Sequence, residues 1–295
     1  METAQKNEIK LLTQVFIDAQ KKQGKSQKQA IALLKDTSEA TIIKILQNDW
    51  NNIADKMWRN IGKQVGWTTT GTTWQMVETI NSKILTTFFE DAKEFNNVIA
   101  ITGNPGSSKS YMAEYYAKHH ANVYHIECDD YWNRKMFLSK VLEKMGKRDT
   151  GYNIGEMMEY IVDVLRKQDT PLLIIDEADK LNDQVLYFFI TLYNRLKGKC
   201  GIVLLATDYL EKRIMRGIKL KKRGFAEIFS RIGKGFIELG AIATEELEKI
   251  IRANGIEDQL TINEIINQMD GDLRLLERKI HAHKRIQERK NNKAA

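Results

Sequence analysis

Val98-Ile99-Ala100-Ile101-Thr102-Gly103-Asn104-Pro105-Gly106-Ser107-Ser108-Lys109-Ser110 is an apolar run giving way to a loop of small residues that closes on a lysine and a serine. The stretch after it, Tyr111 to His120, is helix-competent, so the local reading is strand, loop, helix. Such a loop turns its backbone N–H groups toward a polyphosphate at a helix N-terminus. Gly103, Asn104, Pro105, Gly106, Ser107 and Ser108 would form the cradle. Lys109 would reach the terminal phosphates, and Ser110 would offer its hydroxyl to Mg²⁺. The strict pattern has glycine directly before the lysine, where this chain has Ser108. A side chain there crowds the phosphates or resists a positive φ.

Downstream, Leu172-Leu173-Ile174-Ile175-Asp176-Glu177 is a fully apolar strand ending in two acids, the form of a Walker B element on a buried parallel sheet. Asp176 would hold Mg²⁺ through water, and Glu177 would polarise the attacking water. Between and beyond these motifs, strands are expected at 97–102, 122–128, 172–176, 201–206 and 234–239. They alternate with helices at 133–145, 154–167, 182–197 and 209–216, after a leading helix over 74–89. That alternation predicts an α/β core with a parallel five-stranded sheet covered by helices. Both prolines fall at permitted places, Pro105 in the phosphate loop and Pro171 at the start of a strand.

A chain of 295 residues that is 42% apolar can bury a full core in more than one unit. No apolar run approaches membrane-spanning length and the N-terminus lacks a signal pattern, so a cytoplasmic protein with no membrane partner is expected. Cys128 and Cys200 lie beside predicted strands without metal spacing and read as reduced core thiols. The net charge of +7 favours a polyanionic partner.

Residues 1–67 contain no proline and read as wholly helical: Ile9 to Lys21, a second helix capped by Ser26 through Leu34, then Asp36-Thr37-Ser38 turning into a third helix. Two short helices joined so tightly suggest helix-turn-helix, with Trp58 to Ile61 closing the core. Ser38, Thr41 and Lys44 would face DNA; a protein-docking bundle shares the pattern. Residues 68–92 read as a small-residue linker and the leading helix, 93–241 as the nucleotide-binding domain, and 242–295 as a helical lid.

Three polar positions narrow the class. Thr207, at the end of strand 201–206, resembles the sensor 1 position of AAA+ ATPases. Arg231, just before the last strand, resembles an arginine finger supplied to a neighbour's γ-phosphate, a task suited to a permanent, forked charge. Arg274, in Gly271-Asp272-Leu273-Arg274, resembles sensor 2. In this order, residues from about 95 to 285 resemble an AAA+ ATPase of the initiator-like branch. With the N-terminal helix-turn-helix, the whole chain resembles the MuB family of transposition target-selector ATPases. The resemblance implies catalytic roles for Glu177, Arg231 and Thr207. It also implies ATP and Mg²⁺ as cofactors and double-stranded DNA bound without sequence preference. Homo-oligomers, as filaments or rings, and a transposase partner complete what it implies.

Basic residues that would neutralise phosphates cluster in 211–223, including Lys219, Lys221, Lys222 and Arg223. A subunit contact explains that cluster equally well. Lys147 and Arg148, and Arg134 and Lys135, lie after the second strand, a region that in oligomeric relatives faces the pore where DNA runs. The lid helix is basic too, and reads as a solvated face. Two other readings stand beside the first: a replication initiator or helicase loader with the same core, and an operator-binding nucleotide switch with little turnover.

Overall fold

The computed structural model describes residues 1, 3–22, 24–67, 74–148, 151–269 and 271–294, without the side chains of residues 4, 22 and 288–294. The linker expected at 68–73 lies outside the described residues. The chain divides into two compact units: Met1–Met76 with Ala253–Gly255 and Lys279–Ala295, and Val77–Arg252 with Ile256–Arg278. Residues from 242 on are thus shared between them.

The first unit opens with α1 (Thr3–Lys22), α2 (Gln27–Ile31), α3 (Glu39–Leu46) and α4 (Asp55–Gln64). Apolar residues at helical spacing meet in one core: Ile9, Ile17, Ile31, Ile42, Ile45, Trp58 and Ile61 are buried. Ser26 caps α2 through a reciprocal box with Gln29. The helix stops at Ile31, short of the expected Leu34, because residues 32–36 turn and Asp36 is left-handed, with φ 54°. Ser38 then caps α3, its hydroxyl oxygen accepting from Thr41 N at 3.1 Å.

The second unit is built on five parallel strands, β1 (Val98–Thr102), β2 (Val123–Glu127), β3 (Leu172–Asp176), β4 (Gly201–Ala206) and β5 (Ile237–Glu238), in the order β2-β3-β4-β1-β5. The order follows burial. β3 and β4 are buried at every position and take central places, and their sequences are unbroken apolar runs because both faces are covered. β5 keeps only two residues of the expected 234–239, since Gly233 and Lys234 both turn left-handed just before it.

Helix α5 (Ile80–Phe95) starts later than the expected Trp74, where Thr79 forms a capping box with Ser82, and ends at left-handed Asn96. Gly201 lets β4 begin directly against the backbone of Ala92 in this helix. Around the sheet run α6 (Lys109–His119), α7 (Arg134–Lys144), α8 (Ile154–Lys167), α9 (Asp183–Leu196) and α10 (Asp208–Lys219). The sequence reading lacked α11 (Phe225–Arg231). It folds back on α10 because Gly217 leaves room for the Phe225 ring. The chain ends with α12 (Thr244–Ala253), α13 (Gln259–Asn267) and α14 (Leu273–Ala294).

Candidate nucleotide site

The phosphate loop joins the C-terminal end of β1 to the N-terminus of α6, the edge of a parallel sheet where ligands bind. Gly103 N bonds Ala206 O at 3.2 Å, which seats the loop against the end of β4. Gly106 and Ser108 are both left-handed, with φ 79° and 69°. Ser108 therefore adopts the backbone that glycine gives freely, and its side chain makes no capping hydrogen bond in return. Lys109 Nζ donates to Gly103 O at 2.6 Å, Asn104 O at 3.0 Å and Ser107 Oγ at 3.1 Å. Burial pushes its pKa down; the carboxylates of Asp176, Asp179 and Glu177 oppose that shift and the Arg274 guanidinium adds to it.

The two acids ending the apolar run sit beside this loop but in different settings. Asp176 is fully buried; its Oδ1 accepts from Glu177 N at 2.9 Å and its Oδ2 from His125 Nε2 at 3.1 Å. Glu177 is left-handed, with φ 53°, and its carboxylate is paired with Lys180, which also stands 4.0 Å from Asp129. That hydrogen bond raises the Lys180 pKa. The Thr207 hydroxyl donates to Asp179 Oδ2 at 2.8 Å and accepts from Tyr209 N at 3.4 Å, so it caps α10 while anchoring Asp179. Sequence reasoning missed Asp179, Lys180 and His125. The first two were visible as the continuation Asp176-Glu177-Ala178-Asp179-Lys180; His125 had no signal, because its contact depends on strand order.

The start of α14 closes the site. Leu273 N bonds Gly106 O at 3.3 Å, and Asp272 Oδ1 accepts from Arg274 N at 2.8 Å. A Cβ on Gly106 would lie 2.8 Å from Asp272 Cα, so glycine is required here by the lid residue as well as by its φ. Arg274 is exposed. Arg231 is not brought to this edge. It closes α11, bonds Glu227 at 3.1 Å, and places its guanidinium 5.0 Å from the Tyr193 ring centroid. It lines a pocket with Asn97, Val98 and Lys197, at the starting ends of β1 and β4. The length of β1, about 13 Å at ~3.3 Å per residue, separates that edge from the phosphate loop.

Of the proposed DNA-contacting residues, Ser38 and Thr41 spend their side chains on one another at 2.8 Å, while Lys44 is exposed. Arg134, Lys135, Lys147 and Arg148 are exposed at the two ends of α7. Lys219, Lys221, Lys222 and Arg223 are exposed at the end of α10 and the turn after it. Arg213, by contrast, is a structural tie, bonding Asp183 and Leu181 O. It forms part of a groove of about 430 Å³ lined also by Tyr209, Lys212, Arg216 and Lys222. Both cysteines are free and buried, and burial pushes Cys200 up to about 12.

Residues 93–214 match the family model of the AAA domain. The chain is 25% identical, over 207 residues, to the Mu-like prophage FluMu DNA transposition protein B of Haemophilus influenzae, covering 68% of this chain and 69% of that protein. The chain thus carries a stretch that matches an AAA domain and is similar to a DNA transposition protein B. Among solved structures, Cdc6p from Pyrobaculum aerophilum superposes with a TM-score of 0.50 at 17% identity, over 70% of this chain and 61% of that one. Drosophila ORC bound to DNA superposes with a TM-score of 0.49 at 13% identity, over 76% and 59%. This chain therefore spans about three fifths of each of those structures. The Cdc6p likeness establishes the AAA+ fold already visible in the strand order. Among the described residues no helix is long and apolar enough to cross a membrane.

Proposed function

We propose that the protein is an ATP-hydrolysing, DNA-binding regulator of transposition. It would assemble on duplex DNA as a filament or ring in the presence of ATP and deliver that DNA as a target to a transposase. The observation that carries the reading is the meeting, within one unit, of Lys109 and Ser110 with Asp176, Glu177, Asp179 and Arg274 at the carboxyl edge of a parallel sheet. This arrangement stands in a chain related to a DNA transposition protein.

The residues fit ATP and Mg²⁺. Backbone N–H groups of Gly103 to Ser108 and the Lys109 ammonium suit phosphate oxygens. Among the described residues no cluster of His, Cys, Asp and Glu forms a complete metal cage. One hydroxyl, Ser110, and one buried carboxylate, Asp176, are what Mg²⁺ needs when phosphates and water fill its remaining positions. When bound, the ion neutralises charge building on the phosphates. Glu177, released from Lys180, orients and deprotonates the attacking water. Thr207 and Asp179 set the position of the loop beside it. Arg274 contacts phosphate from the lid. Arg231, remote from its own site, would serve a neighbour's γ-phosphate.

DNA contact is assigned to exposed cations that lack carboxylate partners. Arg216, Lys219, Lys221, Lys222 and Arg223 have no salt bridge among the described residues, unlike Lys212, which pairs with Asp208. Unpaired cations on one surface favour phosphate backbones over bases. A second reading, an operator-binding switch with little turnover, draws on left-handed Ser108 and on the Glu177–Lys180 pair.

The test is fluorescence anisotropy of a random-sequence duplex with wild type and Lys109→Ala, with and without ATP and Mg²⁺, across a salt series. Tight binding only by wild type with ATP supports the regulator. Binding that ignores ATP or demands one sequence overturns it and favours the operator switch.

A further inference from the structure

Strand β2 supplies no residue to the chemistry proposed so far, yet His125, in the middle of that strand, is directed at the site's most buried acid. The parallel register pairs His125 with Ile174 and Glu127 with Asp176, so His125 and Asp176 project on the same face of neighbouring strands. Their side chains are 10% and 1% exposed, and His125 Nε2 stands 3.1 Å from Asp176 Oδ2. A carboxylate has no proton to give, so the imidazole donates from Nε2. The other oxygen, Oδ1, is already held by Glu177 N. Each oxygen thus has its own donor, and rotation of the carboxylate about its last bond would break both contacts.

We propose that His125 is a positioning residue for Mg²⁺: its hydrogen bond fixes the orientation of the Asp176 carboxylate that the ion needs. This rests on the assignment of Asp176 as the metal-holding acid. Without the imidazole, Oδ2 has no protein donor among the described residues. The carboxylate is then free to turn away, which weakens a hard cation's site. Loss of such an outer hydrogen bond typically costs about 10–100-fold in metal affinity. A purely structural histidine would instead affect folding and leave cation dependence alone.

The experiment is a Mg²⁺ titration of the binding of a fluorescent ATP analogue, with an EDTA arm and a thermal melt. The proteins are wild type, His125→Leu, His125→Gln and Asp176→Asn. Glutamine places an amide N–H near the position of Nε2, whereas leucine fills the space without a donor. The expected result is that His125→Leu needs about tenfold more Mg²⁺ for half-maximal effect, that its affinity in EDTA matches wild type, and that His125→Gln recovers most of the loss. If Asp176→Asn shifts the Mg²⁺ dependence and His125→Leu does not, this proposal alone falls. If Asp176→Asn leaves that dependence unchanged, the assignment beneath it falls instead. Should His125→Leu fail to fold, His125→Ala takes its place: a folded alanine variant that needs the extra Mg²⁺ while His125→Gln does not supports the hydrogen-bond role, and one that keeps the wild-type requirement overturns it.

Discussion

The Glu177 carboxylate is paired with the Lys180 ammonium three residues further on, so the acid proposed as the base is engaged within its own chain. Lys180→Met should therefore raise basal ATP hydrolysis several-fold, while Glu177→Gln should lower it by about 10²–10⁴-fold, the usual worth of a positioned base. Steady-state phosphate release measures both. Nucleotide affinity should be nearly unchanged in each variant; a Lys180→Met that hydrolyses no faster would show that the pair does not restrain Glu177.

Ser108 gives a test of backbone strain. With φ at 69° and no hydrogen bond from its side chain, it carries the left-handed cost without compensation. Ser108→Gly should stabilise the nucleotide-free protein by about 1 kcal/mol or less, the steric gain being partly offset by glycine's chain entropy. Ser108→Val should destabilise it, because a branched side chain fits that region worst. Chemical denaturation midpoints would decide the order Gly, Ser, Val.

Gly106 should be far less tolerant. A methyl group added there meets both the side chain and the Cα of Asp272 on a backbone with φ 79°. Gly106→Ala should cost about 2–3 kcal/mol, and Asp272→Ala in the same protein should recover only part, since the Cα clash persists. Thermal melts of the two single variants and the double variant measure that coupling.

The buried ammonium sets a pH dependence. The Lys109 pKa is lowered from its ordinary 10.5, chiefly by burial, so the unfolded chain holds more protons in the interval between the two values. Stability therefore rises with pH through that interval and levels off above 10.5. Relative to Lys109→Met, nucleotide-free wild type should gain stability as pH climbs toward 10.5, which denaturant midpoints at several alkaline pH values would reveal.

On the DNA side, Arg216→Ala with Lys222→Ala should reduce the slope of log affinity against log salt by about two, one for each phosphate left without its cation. Hydrolysis without DNA should be unaffected. An unchanged slope would assign this surface to contacts between subunits.

What the sequence revealed, and what it withheld, follows from the range of the forces involved. The buried strand Leu172–Asp176 announced itself because a strand covered on both faces must be apolar throughout. The loop between β1 and α6 was legible because its run of small residues is local. The helix Phe225–Arg231 was not, because its burial rests on the missing side chain of Gly217, in another helix. The start of α5 was placed too early: tryptophan and apolar spacing from Trp74 mimicked a helix, whereas the Thr79 cap sets the boundary. Arg231 was readable as a residue type but not as a location. That it packs on the Tyr193 ring at the starting ends of β1 and β4 depends on the fold of α11 against α9, which no local pattern encodes.

The phosphate cradle holds itself together. Lys109 satisfies itself with two loop carbonyls and the Ser107 hydroxyl. In the proposed reading a triphosphate would enter by exchange: it would take over a cation that the loop itself holds, and Gly103 O and Asn104 O would give up a donor. Calorimetry of nucleotide binding should thus report a heat well below the sum of the new phosphate contacts, because Lys109 would give up its bonds to the loop in making them.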